Sequence, residues 1–148
     1  MKLLLDENVP RPMLHTVRIL LKGQEITHVH EISGWPGTRD VELYDMAQQD
    51  GFECVVTNAT KQLSRPLEVA AIAKSRLHRI EYRQNHKHGG LAGLGAAVAT
   101  ICAGLPHALA ELTRADGQRL ISLTAVDPST QHRLRIVDPS VSPPKFWP

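Results

Sequence analysis

The chain has 148 residues, 42% of them hydrophobic and 22% charged, with 10 Gly and 10 Pro, which reads as one folded domain spanning 1–148. A chain of this length buries close to ~70% of its unfolded surface and needs neither disulfides nor a structural metal. Cys54 and Cys102, each in an apolar run and without CxxC spacing, therefore read as free thiols in a reducing compartment. The net charge is only +2, yet residues 1–60 carry five Lys/Arg against nine Asp/Glu, residues 61–87 carry seven against two, and the remainder is +1. An acidic region beside a basic strip suits a cation site next to a polyanion.

Met1-Lys2 with only three leucines before Asp6-Glu7-Asn8 is too short for a signal peptide, so a cytoplasmic location is expected. Lys2 to Leu5 has the shape of a buried parallel strand that ends in acids. Pro10 and Pro12 then open a helix, where a fixed φ and a missing N–H cost least, with core positions Met13, Leu14, Val17, Leu20 and Leu21 and a stop at Gly23. Glu25 to His30 alternates as a second strand. Ser33 to Gly37 is a loop, and Thr38 or Asp40 caps the next helix, which carries Val41, Leu43, Tyr44 and Ala47.

Phe52 to Thr57 is the third strand, Pro66 to Ser75 a helix and Leu77 to Arg83 the fourth strand. This alternation predicts an α/β fold, a mainly parallel sheet with helices on both faces in three layers. Gly89 to Ala110 is apolar enough to suggest a membrane span. It is mostly Gly and Ala and is interrupted by Pro106, so it reads as a core helix that kinks at that proline or begins a second segment there, and no membrane association is expected. Its leucine face, Leu91 to Leu112, is expected inside, and its small residues, Gly93, Gly95, Ala96, Ala97 and Ala99, are expected on a face open to self-association. Arg119 to Val126 and His132 to Val137 read as a C-terminal antiparallel β-hairpin, followed by an irregular tail whose Phe146 and Trp147 are expected to pack back.

In a parallel sheet the ligand site lies beyond the carboxyl ends of the strands. The residues there are Asp6-Glu7-Asn8 after the first strand, Thr57 to Lys61 after the third, and Asp40 at a helix start on the same edge. Clustered carboxylates repel unless a cation sits among them, and hard oxygen donors select Mg²⁺ or Mn²⁺. Lys61 and Arg65 are placed to meet backbone phosphates, and the wider strip adds Lys74, Arg76, Arg79 and Arg83. His28-x-His30 has a spacing that suits zinc but lacks a third ligand nearby. His86-Lys87-His88, just before the long helix, is a phosphate contact or a solvated loop. A phosphoacceptor receiver domain would need an Asp at the end of the third strand, and none lies between Phe52 and Lys61.

The order Leu3-Leu4-Leu5-Asp6-Glu7-Asn8-Val9-Pro10, Gly37-x-x-Asp40 and Val55-Val56-Thr57-Asn58 resembles the PIN-like nuclease family, and more narrowly its VapC-type toxins from type II toxin–antitoxin pairs. The resemblance implies a Mg²⁺- or Mn²⁺-dependent endoribonuclease that hydrolyses RNA phosphodiesters. It further implies a cognate antitoxin, of helix-turn-helix type, that neutralises the enzyme in a complex containing a homodimer of this chain. Carried over, Asp6 and Asp40 are catalytic metal ligands, Glu7 assists, and Asn8, Asn58, Lys61 and Arg65 contact substrate, with Asn8 also orienting Asp6. The family's third acid stands two positions after the Thr, where this chain has Ala59 in place of the expected Asp. That departure implies an inactivated chain, through an acid either replaced or lost. The alternative is a catalytically degenerate PIN-like module that binds RNA or protein. A fourth acid has no secure counterpart, Glu81 and Asp116 being the candidates.

Overall fold

The computed structural model describes residues 1–84, 89–127, 129 and 133–147. Five strands, β1 (Lys2–Leu5), β2 (Glu25–His28), β3 (Cys54–Thr57), β4 (His78–Glu81) and β5 (Leu120–Ser122), form one sheet in the order β2-β1-β3-β4-β5. All four pairings are parallel. The helices are α1 (Arg11–Leu20), α2 (Asp40–Gln49), α3 (Pro66–Ser75) and α4 (Gly90–Arg114). Because strand side chains alternate, Leu3 and Leu5 point to one face and Leu4 to the other. The first face packs on α1 and α4 through Met13, Val17, Ile101, Leu105 and Leu109. The second packs on α2 and α3 through Leu43, Tyr44, Ala47 and Ile72. The result is the expected α/β/α sandwich, with strands buried on both sides.

The chain turns outward from β1 to β2, then returns to place β3 on the other side of β1. This reversal opens a crevice beyond the carboxyl ends of β1 and β3, the usual ligand position in such sheets.

Several expectations are corrected. The second strand stops at His28, and Val29–Glu31 forms a 3₁₀ turn capped by the His28 side chain, so His30 leaves the sheet. Neither Thr38 nor Asp40 caps α2; its N-cap is Arg39, without a side-chain cap bond, while the Thr38 hydroxyl donates to the Trp35 carbonyl. Leu20 and Val41 are exposed rather than core. The long helix α4 is long and apolar enough to cross a membrane by length and composition. It nevertheless lies on the sheet, runs through Pro106 as one helix, and buries Ala97, Ile101, Leu105, Ala108, Leu109 and Leu112. The leucine stripe is buried from Ile101 to Leu112, but at the N-terminal end the buried face departs from it: Leu91 is 84% exposed whereas Gly93 and Ala97 point inward. Gly104 serves close approach within the chain, since a Cβ there would fall 2.9 Å from Leu123, whereas Gly95 has open space around it.

The C-terminal antiparallel hairpin is absent among the described residues. The α4 crossover returns the chain to the starting end of the sheet, so β5 enters parallel to β4. Beyond it Leu123 packs toward α4 and the Val126 N–H donates to the Thr100 hydroxyl at 2.9 Å, which draws the chain over α4 and away from the sheet edge. Residues 133–137 form no strand, and Leu134 and Ile136 are exposed. The tail aromatics do not pack back either, with Phe146 at 88% exposure. Part of the predicted hairpin (residues 128 and 130–132) and the His86-Lys87-His88 loop lie outside the described residues.

Candidate functional site

Asp6 follows β1 directly, and its N–H donates to the Val56 carbonyl at 2.9 Å, which extends the β1–β3 ladder by one bond. Its carboxylate is thereby fixed at the boundary of the two strands, only 3% exposed. A buried charge is tolerable only when it is hydrogen-bonded. Oδ1 accepts the Glu7 N–H at 2.6 Å, and Oδ2 accepts the Thr57 hydroxyl at 2.7 Å and the Asn8 amide at 3.2 Å. The Thr57 oxygen in turn accepts the Ala59 N–H at 2.9 Å, so one hydroxyl joins the turn after β1 to the turn after β3.

The turn continues through Val9, whose carbonyl is 2.8 Å from Nε2 of the buried His28. His28 Nδ1 accepts the His30 N–H at 3.1 Å, so the proton must sit on Nε2, which donates to Val9. Both ring nitrogens are committed to this turn, and the zinc reading of His28-x-His30 has no ligand atom left on His28.

Asp40 opens α2 on the opposite wall. Burial raises its proton affinity, opposed by the Gln62 side-chain hydrogen bond; the nearby Asp6 and Glu68 charges raise it further and Arg65 lowers it, with a net rise. Gln62 is itself buried, with Oε1 accepting long bonds from the Tyr44 hydroxyl (3.4 Å) and from Arg79 Nε and Nη2 (3.4 and 3.3 Å). The Arg79 guanidinium is 1% exposed, donates to the Ala59 carbonyl at 2.9 Å and pairs with Glu81 at 2.6 Å. Burial pushes the Glu81 carboxyl up, but the Arg79 and Ser122 hydrogen bonds overcome it and hold it below its ordinary value. A continuous polar chain thus runs from β5 through β4 to the Asp40 wall.

Above this floor lies a cleft of about 660 Å³. Asn8, Asp40, Asn58, Ala59, Lys61 and Arg65, all singled out in the sequence, line it, together with Thr60, Gln62, Arg83 and Gln84. Asp6 lies in the floor, its carboxylate close enough to raise the proton affinity of Asp40. Glu7 points elsewhere: its Oε2 accepts the Gly37 N–H at 2.9 Å and its Oε1 is 3.9 Å from His30. Gly37 sits at φ 78°, a conformation that favours glycine.

The basic strip is not one surface. Arg79 is interior, Lys74 pairs with Asp45 at 3.1 Å between α3 and α2, and Arg76 borders a separate cleft with His78 and Asp116. Of the strip, Lys61, Arg65 and Arg83 remain at the site. Neither candidate fourth acid reaches it, since Glu81 is paired with Arg79 and Asp116 with Arg119.

A model of the PIN-like domain family matches residues 1–83. The chain belongs to the PIN-like family. The match runs from β1 through β4 and includes every cleft residue named above except Gln84. No curated protein and no solved structure matches the chain. PIN-like domains are in general nucleases and typically use divalent cations. The donor set here does not fit such an ion: among the described residues no three His, Cys, Asp or Glu side chains gather to hold a metal. Asp6 already accepts three hydrogen bonds, Asp40 accepts one, and position 59 offers a methyl group. A hard cation is anchored by carboxylate oxygens, and here those of Asp6 are taken up by hydrogen bonds from Glu7, Asn8 and Thr57 while position 59 supplies none.

Sequence reasoning missed the structural use of Gln62 and Arg79. The available signal was the position of Arg79, in the middle of the fourth strand, His78-Arg79-Ile80-Glu81, of a parallel sheet. Central strands of a parallel sheet are covered on both faces, so a charge in the middle of one is interior.

Proposed function

We propose that this chain is a PIN-like ribonuclease of the toxin type whose cation site is incomplete at position 59, so that it holds RNA at the cleft and does not cut it. The observation that carries the reading is the cleft itself. The family acids at 6 and 40, the Ala59 position, the amides of Asn8 and Asn58 and the cations Lys61 and Arg65 surround one opening at the β1–β3 crevice. Amides and cations suit sugar and phosphate contacts, which position a nucleic acid without reading its bases. No hydrolytic step is assigned to the chain as it stands, because the acids present do not make up a cation site.

The partner in this reading is an antitoxin of helix-turn-helix type that covers the cleft, in a cytoplasmic complex containing two copies of the chain. The apolar side chains exposed on 134–147, Ile136 and Phe146 among them, give such a partner a surface to bury. The test is Ala59→Asp with Mg²⁺ or Mn²⁺ and single-stranded RNA. Cleavage, together with slowed growth of the host, is expected. If the acid-restored chain neither cuts nor slows growth, the nuclease reading fails and a binding module takes its place.

A further inference from the structure

We propose that the cleft binds a phosphate monoester directly, through Lys61, Arg65 and Arg83, at the place where the family fold would gather acids around a cation. The proposal rests on the RNA reading only for the carrier of the phosphate, not for the anion site. Three cationic side chains line the opening against one lining carboxylate, Asp40. Asp6 adds a negative charge from below, but it is 3% exposed and its oxygens are turned to Thr57, Asn8 and the Glu7 N–H. Among the described residues the Lys61 ammonium makes no hydrogen bond or ion pair, the Arg83 guanidinium makes none either but acts electrostatically on Glu81, and Arg65 shares Glu68 at 2.9 Å. The amides of Asn8, Asn58 and Gln84 add neutral donors. Cations left unpaired at the mouth of a cleft focus positive potential into it.

Ala59 matters for the same reason. A carboxylate there would stand two residues from Lys61 and compete with a phosphate, whereas its methyl group adds no charge. The volume of about 660 Å³ exceeds a phosphate and accommodates part of the nucleotide that carries it. A monoester, with a second negative charge, gains more from three cations than a backbone diester does.

The experiment uses the full chain in EDTA and fluorescence anisotropy. The probes are one short oligoribonucleotide, 3′-labelled, with a 5′-phosphate or a 5′-hydroxyl, and inorganic phosphate as competitor. The phosphorylated end is expected to bind about tenfold more tightly, in line with two charge-assisted bonds to a dianion. Lys61→Ala combined with Arg83→Ala should abolish that preference, and Ala59→Asp should reduce it several-fold, with circular dichroism confirming unchanged folds. Competition by inorganic phosphate at the concentration of phosphorylated RNA would assign the site to small phosphates, and weaker competition to RNA ends; both support a monoester site. Equal affinity for the two RNA ends, or a preference untouched by the double substitution or present only with Mg²⁺, would overturn it. Cleavage by Ala59→Asp with Mn²⁺ bears on the nuclease reading alone, so the two proposals fail separately.

Discussion

The floor and the rim of the cleft are built from the same kinds of residue and behave in opposite ways. On the floor, Asp6, Thr57, Gln62 and Arg79 are each 3% exposed or less and hydrogen-bonded. On the rim, Lys61, Arg65 and Arg83 are exposed, and only Arg65 has an ion-pair partner among the described residues. Two arginines four positions apart in sequence, Arg79 and Arg83, thus have different tasks. The first is tied to a carbonyl and a carboxylate and holds the 59–62 turn in place; the second presents charge to whatever enters. Burial turns a charged group into a fastener, because an unpaired ion in the interior costs several kcal/mol, while exposure leaves the charge free for a ligand.

The contrast is broken most severely at Arg79. Arg79→Met, which strands Glu81 and frees the Ala59 carbonyl, should lower stability by about 3–5 kcal/mol, measured as a shift of the urea midpoint at constant slope. Next is Thr57→Val, which keeps the shape and deletes the hydroxyl shared by Asp6 and the Ala59 N–H; about 1–3 kcal/mol should be lost. A loss under ~0.5 kcal/mol in either variant would mean the floor is not what holds the turn.

Acid probes the floor more gently. Glu81 is held below its ordinary value of 4.5, so the unfolded chain takes up its proton first. The stability it contributes is complete above that value and declines as pH falls through the lower folded value. Denaturation midpoints should therefore decrease below about pH 4.5, and the Glu81 carboxyl signal should titrate late by NMR. The rim has the smallest effects on folding. Asp40 binds its proton more readily in the fold than in the unfolded chain, so Asp40→Asn should raise the melting temperature slightly. Lys61→Ala should leave stability within about 0.5 kcal/mol while weakening RNA binding and flattening its salt dependence by about 0.7 in slope. A rim substitution that unfolds the protein, or a floor substitution that changes only binding, would dissolve the distinction.

Much of the fold was legible in the sequence because short apolar runs that end in polar residues, separated by amphipathic stretches, leave few alternatives to a parallel sheet. Lys2–Leu5 and Pro66–Ser75 fall where the pattern places them, each with an unambiguous boundary: acids after Leu5, and a proline that both opens a helix and bars the preceding residue from one. The rim of the site was legible as well, since residues just past the ends of β1 and β3 in such a sheet must share an edge. Glu7 was not. Its direction depends on a long-range bond to Gly37, thirty residues away.

Local pattern by itself determined the presence of the first four strands, the four helices and which sheet edge would carry polar groups, because those follow from periodicity and from the conformational limits of proline and glycine. The tertiary structure alone decided which cations are fasteners and which are free. Arg79 is interior because Gln62, seventeen residues before it, and Glu81 meet it there, with Ser122 on β5 holding Glu81 in turn. It also decided that 133–137, whose alternation is that of a strand, stays outside the sheet. Periodicity states which face a residue occupies if a partner exists. Whether the partner is there is set by contacts distant in sequence, and these are formed only when the layers pack.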